Sequence, residues 1–173
     1  ELKPYQVKGV EHFLKIKHGA NFSVPGSGKT TMVYAYYDEL KRQGIAEKIF
    51  VVGPFSSFSP WEEESEKCFG QKLSSARLVG ARRQSYNLQS SQYELFLCHY
   101  QTAANDKDEI IELCKRHKIL FVIDESHYIK RFAGGVWSEA LLTIAPNAKR
   151  RVILSGTPMP NGYMDLWSQM TFL

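Results

Sequence analysis

Apolar residues along this chain fall into two alternating rhythms. Short, nearly continuous apolar runs occupy about residues 20–24, 48–52, 75–79, 93–98, 119–123 and 150–154, the length and density of strands buried on both faces. Between them apolar positions recur three and four apart, over about residues 5–17, 29–43, 60–69, 81–90, 107–117, 136–144 and 164–172, which predicts amphipathic helices. Ser59 ahead of Pro60 reads as an N-cap followed by proline at the first helical position. Strand and helix signals alternate with little between them, so the expected fold class is α/β: a mostly parallel sheet with helices on both faces. No repeat, low-complexity segment or linker divides residues 1–173, and one domain is expected, with Gly134 and Gly135 marking its flexible loop.

The first apolar run ends in NFSVPGSGKTT, residues 21–31, directly ahead of the amphipathic TMVYAYYDELKRQG. A chain that leaves a strand, turns through Gly26 and Gly28 and enters a helix near Lys29 aims several backbone N–H groups and a helix N-terminus at one spot, which suits a phosphate. Gly28 admits close backbone approach, Lys29 reaches terminal phosphates as a point charge, and Thr30 offers a hydroxyl to Mg²⁺. Pro25, Ser27 and Thr31 complete the cradle. The full G-x-x-x-x-G-K-[ST] pattern asks for glycine where this chain has Ser23, so the match rests on G-x-G-K-T and its strand-to-helix setting.

A second site strengthens the first. In KILFVIDESHYIKR the apolar run 119–123 ends abruptly in Asp124 and Glu125. In a parallel sheet the C-terminal strand ends form the ligand edge. Asp124 is there expected to hold Mg²⁺ opposite Lys29 and Thr30, and Glu125 to orient or deprotonate an attacking water. A phosphate cradle, a metal holder and a water-positioning group are three of the parts phosphoryl transfer needs; a cation for the developing charge has no candidate here.

Composition sets bounds. With 43% hydrophobic and 23% charged residues the chain is an ordinary globular sequence with a full core. No apolar window is long enough to span a membrane. Three widely spaced cysteines, Cys68, Cys98 and Cys114, read as reduced core thiols, and a cytoplasmic, nucleoid or nuclear setting is expected. The net charge of +4 comes in small clusters, at Arg82 and Arg83, residues 115–118, and residues 149–151. These permit nucleic acid as a partner without requiring it.

Three further loops follow predicted strands on the same edge: PFSSFSPWEEE, HYQTA and GTPMPNGYMDLWSQMTFL. Hydroxyls and exposed backbone at their helix starts suit a sugar-phosphate chain. With LKPYQVKGVEHFL, VPGSGKT, VVGPFSSFSPWEEE, LCHYQTA, VIDESHYIKR and LSGTPMPNGYMDLWSQMTFL in that order, nearly the whole chain resembles the first RecA-like lobe of a superfamily 2 helicase, nearest the Swi/Snf-type DNA translocases. That resemblance implies a three-layer P-loop NTPase fold, ATP and Mg²⁺ as cofactors, and double-stranded DNA as partner. It places Gln6 on the adenine edge and gives His127 of the D-E-x-H box a coupling role. It assigns Pro54, Ser56, Ser57, Tyr100 and Thr102 to the grip on a DNA strand. Ser155, Gly156 and Thr157 link the two sites, with Thr157 facing the box.

Two departures qualify the subfamily: Ser23, and Gly26-Ser27 where Swi/Snf-type members often carry glycine-leucine. The second RecA-like lobe, which in this family supplies arginine fingers and half the DNA track, lies outside these residues. A fragment is therefore expected, monomeric and nearly inactive alone, since an arginine finger contributes about 10³–10⁵ in rate. Two other classes stay open: a P-loop ATPase acting on RNA or a non-nucleic-acid substrate, and a nucleotide-gated binding module that does not hydrolyse ATP.

Overall fold

The computed structural model describes residues 2–80, 92–129, 135–159 and 166–173. The expected helix at 81–90, the cluster at Arg82 and Arg83, Lys130, Gly134 and the start of the expected last helix lie outside the described residues.

Six strands, β1 (His18–Asn21), β2 (Lys48–Val52), β3 (Ser75–Leu78), β4 (Leu95–Cys98), β5 (Ile119–Ile123) and β6 (Arg150–Leu154), form one sheet in the order β1-β6-β5-β2-β4-β3. Every pairing is parallel. The helices are α1 (Pro4–Lys15), α2 (Lys29–Arg42), α3 (Phe58–Phe69), α4 (Tyr100–Asn105), α5 (Lys107–Arg116), α6 (Val136–Ile144) and α7 (Leu166–Phe172). The pleat sorts the apolar runs into two cores. Ile49 and Val51 of β2 with Leu120 and Val122 of β5 face α1, α2 and α3. Phe50, Val52, Phe121 and Ile123 face α5, α6 and α7. Both faces are covered, which is why these strands show no polar alternation. Phe50 stacks between Phe96 and Phe121, with centroids 5.8 and 5.1 Å away.

Three local readings change. The first strand ends at Asn21 rather than near residue 24, because the Asn21 side chain accepts from Ser23 N at 3.0 Å and Ser23 Oγ at 2.6 Å. That side-chain turn pulls the chain out of the sheet early. Ser59 is not the N-cap of α3: a 3-10 turn, Phe55–Ser57, runs straight into the helix at Phe58. Pro60 is tolerated in the first turn, where N–H groups have no helical partner anyway, and Ser59 Oγ accepts from Arg77 Nη2 at 3.1 Å. The short α4 was not expected; His99 caps it, its Nδ1 accepting from Gln101 N at 3.2 Å. Cys98 and Cys114 are core thiols as expected, burial pushing Cys114 up to about 12. Cys68 is exposed instead, since it falls on the outward side of α3. Among the described residues no helix is long and apolar enough to cross a membrane.

Candidate active site

The C-terminal strand ends gather the expected chemistry on one edge. β1 leads to the glycine loop, β6 to Ser155, β5 to Asp124, β2 to Gly53 and β4 to His99. β6 lies between β1 and β5, so the loop and the acidic pair stand two strand spacings apart, roughly 10 Å.

The loop owes its shape to two left-handed glycines, Gly26 at φ 76° and Gly28 at φ 77°, the second being the N-cap of α2. Lys29 folds back over the loop, its Nζ donating to Ser23 O at 2.9 Å and Val24 O at 3.2 Å. Ser23, standing at the pattern's missing glycine, has its hydroxyl 2.7 Å from Ser27 Oγ and so braces the loop from inside. Gln6 and Tyr5 hold it from α1: Tyr5 OH donates to Ser27 O at 2.9 Å and Gln6 Nε2 to the same oxygen at 3.3 Å, while Gln6 Oε1 accepts from Lys3 N at 2.8 Å. Gln6 is thus packed against Gly28, whose absent Cβ would lie 2.3 Å from Gln6 Nε2. Next to the first turn of α2, a cleft of about 510 Å³ opens between Leu2, Thr31, Tyr34, Asp38, Glu64 and Phe69.

Asp124 is held by neutral donors. Trp61 Nε1 donates to Oδ2 at 2.9 Å and Glu125 N to Oδ1 at 3.0 Å. Burial raises its carboxyl above the usual range, opposed by the Trp61 hydrogen bond and by the nearby Lys29 charge. A desolvated carboxylate with lone pairs to spare and, among the described residues, no cation in contact fits a divalent metal. No group of three or more His, Cys, Asp or Glu among the described residues forms a metal cage. A site of one carboxylate plus phosphate oxygens is the usual Mg²⁺ arrangement.

Glu125 adopts φ 53°, a left-handed conformation that non-glycine residues hold at a cost of about 1–3 kcal/mol. Tyr100 supports that bend, its OH donating to Asp124 O and, at 3.1 Å, to Glu125 O. His127 Nδ1 lies 3.1 Å from Glu125 Oε2 and 3.2 Å from Ser155 Oγ. Ser155 Oγ in turn accepts from Thr157 N at 3.1 Å. The residue that meets the acidic box is therefore Ser155, which is buried; Thr157 contributes its backbone N–H to that hydroxyl and its side chain is exposed. Gly156 packs on the phosphate loop, where a Cβ would stand 3.0 Å from Pro25. The structure thus joins Lys29, Asp124, Glu125, His127 and Ser155 at one edge.

The loops expected to grip a strand flank that edge unevenly. Ser56 is exposed, Ser57 Oγ donates back to Pro54 O at 2.8 Å, and Tyr100 and Thr102 are buried. Tyr100 is a buttress for the acidic pair. Phe55 is 58% exposed and stacks on His99 at 4.4 Å, 7° from parallel. Two features had no reading of their own in the sequence. Glu64 on α3 accepts from Thr31 Oγ1 at 2.5 Å. Gln169 on α7, wholly buried, accepts from Ser126 Oγ at 2.6 Å and donates to Pro158 O at 2.8 Å. The three-residue spacing of Trp61 and Glu64 signals a shared helix face, but nothing in the sequence marks Gln169.

The SNF2-related domain profile matches residues 5–173. ATP-dependent helicase fft1 of Schizosaccharomyces pombe is 29% identical over 99% of this chain and 19% of its own length. Helicase SWR1 of Mycosarcoma maydis is 31% identical over 100% of this chain and 10% of its own. The solved SWI2/SNF2 ATPase core of Sulfolobus solfataricus in complex with dsDNA superposes with a TM-score of 0.77 at 28% identity, over 100% of this chain and 36% of that one. The chain thus spans a tenth to a fifth of these two relatives and about a third of the solved core. With the family match over residues 5–173 and this superposition, the chain belongs to the SNF2-related domain family and has the RecA-like fold of the SWI2/SNF2 ATPase core.

Proposed function

We propose that this chain is the ATP-binding lobe of a DNA-dependent ATPase that couples Mg-ATP hydrolysis to movement on double-stranded DNA. The observation that carries the reading is the connected edge on which His127 joins Glu125 to Ser155, Gly156 packs on Pro25 of the phosphate loop, and the Lys29 charge acts on Asp124. The backbone N–H groups of residues 26–30 and the α2 N-terminus receive the phosphates, and Lys29 exchanges its two carbonyl partners for phosphate oxygens. Pro25 and Ser27 shape the loop, and Thr31 borders the cleft beside it. The base lies beside the loop, and Gln6 reads its adenine edge once its amide exchanges the contacts to Ser27 O and Lys3 N. Asp124 and the Thr30 hydroxyl would hold Mg²⁺, which would supply positive charge to offset that of the phosphates. Glu125 orients the attacking water and accepts its proton, and its strained backbone fixes the carboxylate in place. His127 passes the state of Glu125 to Ser155, Gly156 and Thr157.

Double-stranded DNA is the proposed partner because the solved core of similar fold was captured with it. Residues 54–57 and the start of α4 at Tyr100–Thr102 form the strand-facing rim, with Ser56 the exposed hydroxyl. A second RecA-like lobe closes over the same edge and supplies the missing cation; without it, turnover is lower by about 10³–10⁵.

ATP turnover by the natural protein that contains this chain, with and without duplex DNA, tests the reading. Duplex should stimulate turnover strongly. Lys29→Ala should abolish nucleotide binding, while Glu125→Gln should spare binding and lower turnover by about 10²–10⁴. Equal loss of binding in both variants overturns the assigned roles. Stimulation by RNA alone, or by neither polymer, overturns the partner.

A further inference from the structure

We propose that α3 is the mechanical link between the strand-facing turn and the nucleotide site, with Trp61 and Glu64 as positioning residues that set Asp124 and Thr31. The inference rests on the functional reading above. Its basis is a single rigid element that touches all three places. The 3-10 turn Phe55–Ser57 continues into α3 without a break, so any displacement of residues 54–57 is a displacement of the helix. Trp61 and Glu64 are three apart and face α2 together. Trp61, 1% exposed, reaches the far side of the site to donate to Asp124 Oδ2 at 2.9 Å. Glu64 receives the Thr31 hydroxyl at 2.5 Å, two residues beyond Lys29.

The helix is clamped so that motion arrives at those contacts. Tyr34 of α2 packs edge-on against Trp61, centroids 5.3 Å apart, and its OH donates to Trp61 O at 2.7 Å. On the opposite side Arg77 of β3 forks onto Glu62, with Nε 3.0 Å from Oε1 and Nη2 2.5 Å from Oε2. At its start, Gly53 leaves only enough room for Ser57 and Asp124 to approach each other: a Cβ there would stand 3.0 Å from Ser57 Oγ and 3.2 Å from Asp124 Cβ. A strand pressing on the turn therefore has three short paths to the nucleotide: through Gly53, through Trp61 and through Glu64. In each the moving part is backbone or a locked side chain. Coupling between sites needs such an element whose position both ligands bias.

The test is a linkage measurement on the natural protein: the affinity for Mg-ADP by calorimetry, alone and with saturating duplex DNA. Wild-type protein should show a duplex-induced change of about 5- to 150-fold. In Trp61→Phe, which keeps the ring against Tyr34 but removes the donor, and in Glu64→Ala, the factor should shrink, and in the double variant it should fall further, to what the Gly53 contact alone transmits. Glu63→Ala, exposed on the same helix, should keep the wild-type factor. Affinities for each ligand alone and the melting temperature, measured for every variant, separate lost coupling from lost folding; should Trp61→Phe fold poorly, Glu64→Ala decides. A full factor retained in the variants, or a wild-type protein that binds both ligands independently, overturns the inference. A wild-type protein that binds no duplex overturns the functional reading beneath it instead.

Discussion

Gln169→Leu removes one side chain that ties the turn at Ser126 to the backbone at Pro158, and its cost can be worked from the geometry. Gln169 and Ser126 are both 0% exposed. The Ser126 hydroxyl donates to Gln169 Oε1 at 2.6 Å, and Gln169 Nε2 donates to Pro158 O at 2.8 Å. Leucine fills nearly the same volume, so the loss is one of hydrogen bonds and not of packing. A buried polar group left without its partner costs about 1–3 kcal/mol. Pro158 is half-buried and recovers part of its loss from water, which puts the total at about 2–4 kcal/mol, a fall of roughly 5–15 °C in melting temperature for a domain of this size. Ser126→Ala alone removes the hydroxyl that donates to Gln169 Oε1 and should cost about 1–3 kcal/mol. Together the two changes remove both ends of one bond, so their costs should fall short of additivity by about 0.5–3 kcal/mol. Urea unfolding of the wild type, both single variants and the double variant gives the cycle. A Gln169→Leu variant within about 0.5 kcal/mol of wild type, or strictly additive costs, would refute the bond as the connection between the acidic box and residues 155–158.

Two further outcomes follow from other parts of the molecule. Burial, then the charges of Arg151, Lys17 and Arg150, lower His18 from 6.5 to about 4, so the folded chain favours neutral imidazole and the unfolded chain takes the proton first. Stability is therefore full above pH 6.5 and falls as pH drops toward 4; His18→Gln should flatten that limb in unfolding measured across this window, and an unchanged slope sinks the assignment. Gly28→Ala should cost about 1–2 kcal/mol for its left-handed backbone, displace Gln6 from the phosphate loop and weaken nucleotide binding about tenfold or more. Calorimetry showing wild-type affinity in a normally folded variant would contradict the close packing of α1 on the loop.

What the residues alone determined is the set of elements whose physics is local. β2, β5 and β6 stand where their apolar density put them, because a strand covered on both faces is apolar along nearly its whole length, with charged residues only at its start, as at Lys48, Arg150 and Arg151. Lys29, Asp124 and Glu125 were legible because phosphate and metal chemistry demand those residue types at a strand's end. Local signals failed where a side chain competed with the backbone, as when Asn21 ended β1 early, and where a turn fused with a helix ahead of Ser59. The tertiary structure alone decided which distant groups meet. It buried Tyr100 beneath the acidic pair and gave Ser155, not the Thr157 side chain, to His127. It set Trp61 against Asp124, Glu64 against Thr31, and Gln169 between Ser126 and Pro158. Such contacts depend on strand order, which places β6 between β1 and β5 and packs α3 on α2. Strand order follows from how both apolar faces are covered at once, a property of the whole chain that no single stretch of sequence carries.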